Sequence, residues 1–445
     1  MTATPPNARR LITAGLAAFT LAFAGLVQGC TPSVPPGGSL TVREITPAVL
    51  LGIEARDPSL ASDGQGTVAL AWVSGDSSNT NCWLMVSRDS GSTFSLPARL
   101  NLVTGRVTAS PRGGPALAIG AGGTLAVAWS EWRGDTSRAI DVRVRASADF
   151  GRTLGRVATV NDDVLGPPEG LTWRQLRDWP LTHRSNPVHR LPSLAFTGDG
   201  SLHAAWLDDR RLPEPVAARA ATLWHSISRD GGQTWSLNVA VSDSASPLCR
   251  PALAVAPDGT VALAYRDAAN DLREPRLALS SDGQTFTSDT LIARDAWRVA
   301  ACPGETMALA WEPPGGGYAA WYTGAAPAGV YMVRWRRDGG LAGLKRPVAD
   351  ELPAATHPVI TPLGDGMLVG VESAGGTAPP RHRFAVRVLA PSGTWSRWTF
   401  LGANATSGAL AATGRQQALA CWIEQEPGHT RLRLALLSRT RGGRA

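Results

Sequence analysis

Arg56, Arg112, Arg190, Arg250 and His357 each stand just before a proline-led apolar run, and Glu131, Asp208, Asp267, Tyr322, Glu372 and Glu424 each close the apolar run that follows. A guanidinium offers a planar fork that takes a carboxylate through two parallel hydrogen bonds, which a lysine cannot match. Arginines left unpaired in such a set would bind an anionic group, for example a sugar carboxylate. Paired with the neighbouring acids, they would only hold adjacent segments in register. Both readings follow from the residue types. His183 and His189 lack metal-ligand spacing with cysteine or acidic partners, and no metal or cofactor is expected. The net charge of +7 does not point to nucleic acid, because Lys345 is the only lysine among 43 basic residues and the arginines are scattered.

The elements that must carry these residues repeat along the chain. Pro58-Ser59-Leu60-Ala61, Pro115-Ala116-Leu117-Ala118, Pro192-Ser193-Leu194-Ala195 and Pro251-Ala252-Leu253-Ala254 each lead through a glycine-containing turn to a second apolar run ending at Trp72, Trp129, Trp206 or Tyr265. Each is then followed by a third run and a Ser-x-Asp turn, in which Asp89, Asp149, Asp230 and Asp282 accept nearby backbone N–H groups while a glycine takes positive φ. Met307 to Tyr322, Pro358 to Glu372 and Ala409 to Glu424 repeat the first two runs without a complete turn, which brings the count to seven units. With 48 glycines and 33 prolines and no sustained helical period after the N-terminus, the composition fits many short strands joined by tight turns.

The best copy of the turn, Ser228 to Trp235 (Ser-Arg-Asp-Gly-Gly-Gln-Thr-Trp), resembles the Asp-box of the sialidase-like β-propellers. The resemblance implies an all-β propeller of four-stranded antiparallel blades over residues 39–445. Seven blades are favoured, with six, the number in catalytic sialidases, as the alternative. Leu40 to Ile45 is an alternating strand with no blade of its own and is expected to supply the outer strand of the last blade, closing the ring and removing an exposed edge. In such a ring the residues before the first strand and after the second share one mouth. Two long insertions, Asn161 to Val188 and Asp209 to Thr222, open onto that mouth.

Retaining sialidases use a tyrosine nucleophile served by a glutamate, an aspartate as acid/base and three arginines on the substrate carboxylate. The resemblance therefore implies Tyr322, Glu372 and Asp57 as the catalytic set. Arg56, Arg112, Arg190 and Arg250, with Asp208, His357, Trp173 and Trp179, are the implied substrate-binding set. The motif is incomplete. Arg56-Asp57-Pro58 and Arg190-Leu191-Pro192 are preceded by Ala55 and His189 where the family has an aromatic residue, and the family's tyrosine comes later in its chain. The implied function is recognition of an anionic glycan with hydrolysis of sialic-acid-type glycosides. The alternative is a noncatalytic propeller that binds a glycan or an envelope protein as a scaffold, in either case as a monomer.

Arg9 and Arg10 precede an apolar run from Leu11 to Val27 that ends at Gln28-Gly29-Cys30, a pattern that resembles a bacterial lipoprotein signal. Residues 1–29 are expected to be removed, Cys30 to be lipidated, and 30–38 to form a tether holding the domain to the cell envelope, at the outer membrane or a periplasmic face. Of the remaining cysteines, Cys249 and Cys302 precede or enter the first strands of adjacent units and are the expected disulfide, while Cys82 and Cys421 are either a second pair or separate buried thiols.

Overall fold

The computed structural model describes residues 38–440 apart from 76–78, 109–111, 135–138, 164–171, 173, 175–185, 213–218, 302, 313–314 and 376–380. The signal sequence, Cys30, nearly all of the tether, Trp173, Trp179, His183 and Cys302 lie outside the described residues.

Seven four-stranded antiparallel sheets form the blades of a β-propeller. Their inner strands are Arg56–Ser62, Ala116–Ile119, Arg190–Phe196, Ala252–Val255, Met307–Glu312, Ala355–Leu363 and Ala405–Ala412, which we number as blades one to seven. Each inner strand contacts the next, and the seventh contacts the first, so they surround one channel. Ser39–Glu44 pairs antiparallel with His429–Thr440 and becomes the outer strand of blade seven, as the lone N-terminal strand implied.

The second strand of a blade lies between its own neighbours within the sheet and between two adjacent blades above and below it. Such strands carry continuous apolar runs rather than alternating ones, as in Val68–Ser74, where only the last residue is not buried. Trp72, Trp129, Trp206 and Trp321 close these strands in full burial, and each stabilises the fold by roughly 3 kcal/mol of apolar transfer. Their indole N–H groups still need acceptors. In three blades the carboxylate two residues on, which shares the strand face, supplies one: Trp129 Nε1 donates to Glu131 Oε2 at 2.7 Å, Trp206 Nε1 to Asp208 Oδ2 at 3.1 Å and Trp422 Nε1 to Glu424 Oε2 at 2.8 Å.

The Ser-x-Asp turns join third and fourth strands at the end of the blades opposite the mouth. In blade one, Asp89 accepts from Ser87 Oγ at 2.8 Å, Thr93 N at 2.8 Å and Thr93 Oγ1 at 2.6 Å. Gly91 has φ +90°, and a Cβ there would lie 2.6 Å from Leu419 of blade seven, so the turn also sets how closely two blades approach.

Cys82 and Cys421 are separate, buried free thiols, held well above the usual thiol range by burial. Cys249 is buried.

Candidate functional site

The inner strands end at the mouth in a shared irregularity. In blades one, three, six and seven the register shifts between Arg56 and Ser59, Arg190 and Ser193, Thr356 and Val359, and Thr406 and Ala409. The bulged residues are Asp57 (φ 46°), Leu191 (φ 57°), His357 (φ 51°) and Ser407 (φ 52°), all left-handed without being glycine. In three of these blades a proline follows, which has no N–H to offer and suits an inner edge strand at a bulge. The bulge re-aims one side chain per blade, at a backbone cost of roughly 1–2 kcal/mol each. Gly114 accommodates it: a Cβ there would sit 2.2 Å from the carbonyl oxygen of Asp57.

Asp57, Arg112, Arg250, His357, Glu372 and Ser407 line a cavity of 310 Å³ together with mainly apolar residues of the inner strands. Arg112 of blade two reaches across to Glu372 of blade six, with Nη1 to Oε1 at 3.0 Å and Nη2 to Oε2 at 3.4 Å. The Ser407 N–H donates to the same Oε1 at 2.9 Å, and the Arg112 N–H donates to Asp57 Oδ1 at 3.3 Å. Arg250 donates to the Gly114 carbonyl, and burial brings its guanidinium down to about 10 against the attraction of Asp57. Burial raises the Asp57 carboxyl above its ordinary range, opposed by the Arg112 N–H and by the charges of Arg250, Arg112 and Arg56.

A second group adjoins the cavity. Glu305 Oε2 stands 3.2 Å from His357 Nε2, and His357 Nδ1 is 2.7 Å from Thr356 Oγ1. Burial pushes Glu305 up to about 7 against Arg112 and Arg266, and pushes His357 down to about 3 with help from Arg112. Burial thus works against charge on both members of the pair. Tyr322 lies close enough that Glu305 adds to burial in raising its phenol. Its carbonyl accepts Arg266 Nη2 at 2.6 Å, and Trp297 meets its ring edge-on at 5.5 Å between centroids.

The structure thus gathers Asp57, Arg112, Arg250, His357 and Glu372 in one cavity. Glu372, expected beside Tyr322, pairs with Arg112, and the carboxyl that acts on Tyr322 is Glu305, which the repeat did not single out. Its signal was present in retrospect: Glu305 precedes the fifth inner strand just as the other mouth residues precede theirs. Arg56 turns to the Gly75 carbonyl, and Arg190 Nη2 lies 3.9 Å from Asp209 Oδ2.

Asp208 corrects the sequence expectation of a substrate ligand. It is wholly buried and accepts from His189 Nδ1 at 2.9 Å, Arg210 Nε at 2.9 Å, Trp206 Nε1 at 3.1 Å and Trp224 Nε1 at 2.8 Å. The i, i+2 spacing from a strand-ending tryptophan marks it, like Glu131 and Glu424, as an indole acceptor. Beside it, Asp141, Asp163 and His189 bring three ligand atoms within 4.8 Å of one another. Arg133 already bonds Asp141 at 2.6 Å and Asp163 at 2.8 Å, and Arg143 bonds Asp141 at 3.0 Å. These arginines supply the positive charge a metal would bring.

No protein-family profile and no curated protein matches the sequence. Among solved structures, the chain is similar to a protein of unknown function from Dyadobacter fermentans, at 14% identity and a TM-score of 0.50 over 92% of this chain and 100% of that one. Others are the intramolecular trans-sialidase from Ruminococcus gnavus (10% identity, TM-score 0.48, 88% of this chain and 96% of that one) and an α-L-arabinofuranosidase from Fusarium graminearum (17%, 0.45, 90% and 97%). The fold is a seven-bladed β-propeller with sialidases and arabinofuranosidases among its structural neighbours. Likeness at these identities is one of fold, and one fold hosts many activities.

Proposed function

We propose that the channel mouth binds an anionic glycan and hydrolyses its glycosidic bond, on a domain exported and lipid-anchored in the cell envelope through Cys30. The observation that carries this reading is the pairing, in and beside one cavity, of arginines able to hold a carboxylate with two carboxyls, Asp57 and Glu305, that burial shifts toward their protonated forms. A carboxyl kept protonated near neutrality is what a general acid at a glycosidic oxygen requires. In this reading Arg112 and Arg250 orient the sugar carboxylate and Asp57 gives its proton to the leaving oxygen. Tyr322 attacks the anomeric carbon, passing its phenolic proton to Glu305 in molecules whose Glu305 is ionised, which become the majority only above about pH 7. A neutral nucleophile suits a substrate whose own carboxylate would repel an anionic one.

A noncatalytic glycan- or protein-binding mouth is the second reading. It is favoured by the engagement of Arg56, Arg112 and Arg250 with protein acceptors. Incubating the domain with a fluorogenic sialoside separates the two. Turnover that is lost in Asp57→Asn and Tyr322→Phe supports hydrolysis, whereas calorimetric binding of N-acetylneuraminate without turnover supports the second reading. The absence of both binding and turnover would remove the anionic-glycan reading altogether.

A further inference from the structure

We propose that Glu372 is a built-in carboxylate that occupies the ligand's place on Arg112, so that the mouth admits sugar acids, whose planar carboxylate exchanges for it, and turns away neutral sugars. This rests on the anionic-glycan reading above and adds what the mouth selects and how. Blades two and six stand three apart in the ring of seven, the widest separation available, so the Arg112–Glu372 pair spans the opening rather than stapling neighbours. Its geometry is the two-bonded fork a carboxylate ligand would use, with both oxygens engaged at 3.0 and 3.4 Å. The Arg112 side chain keeps 31% of its surface open to solvent while Glu372 keeps 8%, so the arginine is the more accessible member of the pair.

Charge balance also favours exchange over simple addition. Burial keeps Asp57 and Glu305 toward neutrality, which leaves Glu372 as the chief counter-ion for the cavity's arginines. An arriving carboxylate that takes over the Glu372 contacts keeps Arg112 matched and leaves only Glu372 without its cation. A neutral sugar that broke the pair would leave both charges unmatched. After exchange Glu372 still has the Ser407 N–H at 2.9 Å to hold it.

The test is titration calorimetry of the wild type, Glu372→Gln, Glu372→Asp and Arg112→Ala with N-acetylneuraminate, galacturonate and galactose. Removing the internal competitor should tighten both sugar acids about tenfold in Glu372→Gln, the equivalent of about 1.4 kcal/mol. Glu372→Asp, too short to keep both bonds, should shift the same way and serves if the glutamine variant does not fold. Arg112→Ala should lose both acids, and galactose should bind none of the four proteins. Sugar acids that bind the wild type but bind both Glu372 variants equally or more weakly overturn the inference and leave the glycan reading standing, as does galactose binding as well as the acids. If no protein binds either acid, the inference and the glycan reading fall together.

Discussion

His357 Nε2 and Glu305 Oε2 face each other at 3.2 Å in a site that burial makes hostile to charge on either. The imidazole is driven down and the carboxyl up. Glu305 has a folded pKa of about 7 against an ordinary 4.5, so the folded state holds its proton more tightly. The stability this contributes is fully present below pH 4.5 and is lost as pH rises through about 7. Denaturant melts of the wild type and Glu305→Gln should therefore show a stability difference that moves against the wild type across that window, by on the order of 3 kcal/mol. A difference that does not change with pH would refute the assignment.

Asp208 and His189 form a buried hub at the mouth end of the third blade. Burial opposes the imidazolium, yet Asp208 and Asp163 outweigh it and hold His189 up at about 9. The sign follows: the stabilisation is complete below pH 6.5 and disappears as pH rises through about 9. Asp208→Ala leaves a buried cation and two indole donors without their acceptor and should cost about 3–5 kcal/mol at pH 6. Urea melts at pH 6 and above 9 should show that penalty shrinking at the higher pH.

Ser407 holds φ 52° at the seventh bulge, where its backbone N–H rather than its side chain meets Glu372. Ser407→Gly keeps that bond and removes the left-handed penalty, against a more flexible unfolded chain. We expect a net gain of up to about 1 kcal/mol in thermal melts, without loss of sugar-acid binding. A loss of stability would mean that the serine hydroxyl matters more than the backbone conformation.

Lipid attachment is tested directly on the exported protein. The mature N-terminus should be Cys30 carrying diacylglycerol and an amide-linked acyl chain, and Cys30→Ser should release the domain from membranes. An unmodified Cys30 found by mass spectrometry would sink the anchoring proposal.

Seven blades and the closing N-terminal strand were legible in the sequence because they rest on local chemistry. Apolar runs ending in tryptophan, proline-led inner strands and Ser-x-Asp turns act within a few residues of themselves, and each repeats often enough to be counted. The tryptophan-to-acid spacing was equally local and would have assigned Glu131, Asp208 and Glu424 to the indoles. Which polar side chains meet in the channel was not legible. Arg112 and Glu372 are 260 residues apart and meet only because the ring closes. Glu305 comes to Tyr322 and His357 because blades five and six are neighbours. Burial, which shifts Asp57, Glu305 and His357 away from their ordinary ionisation, belongs to the assembled channel, since a strand in isolation leaves every one of these groups in water.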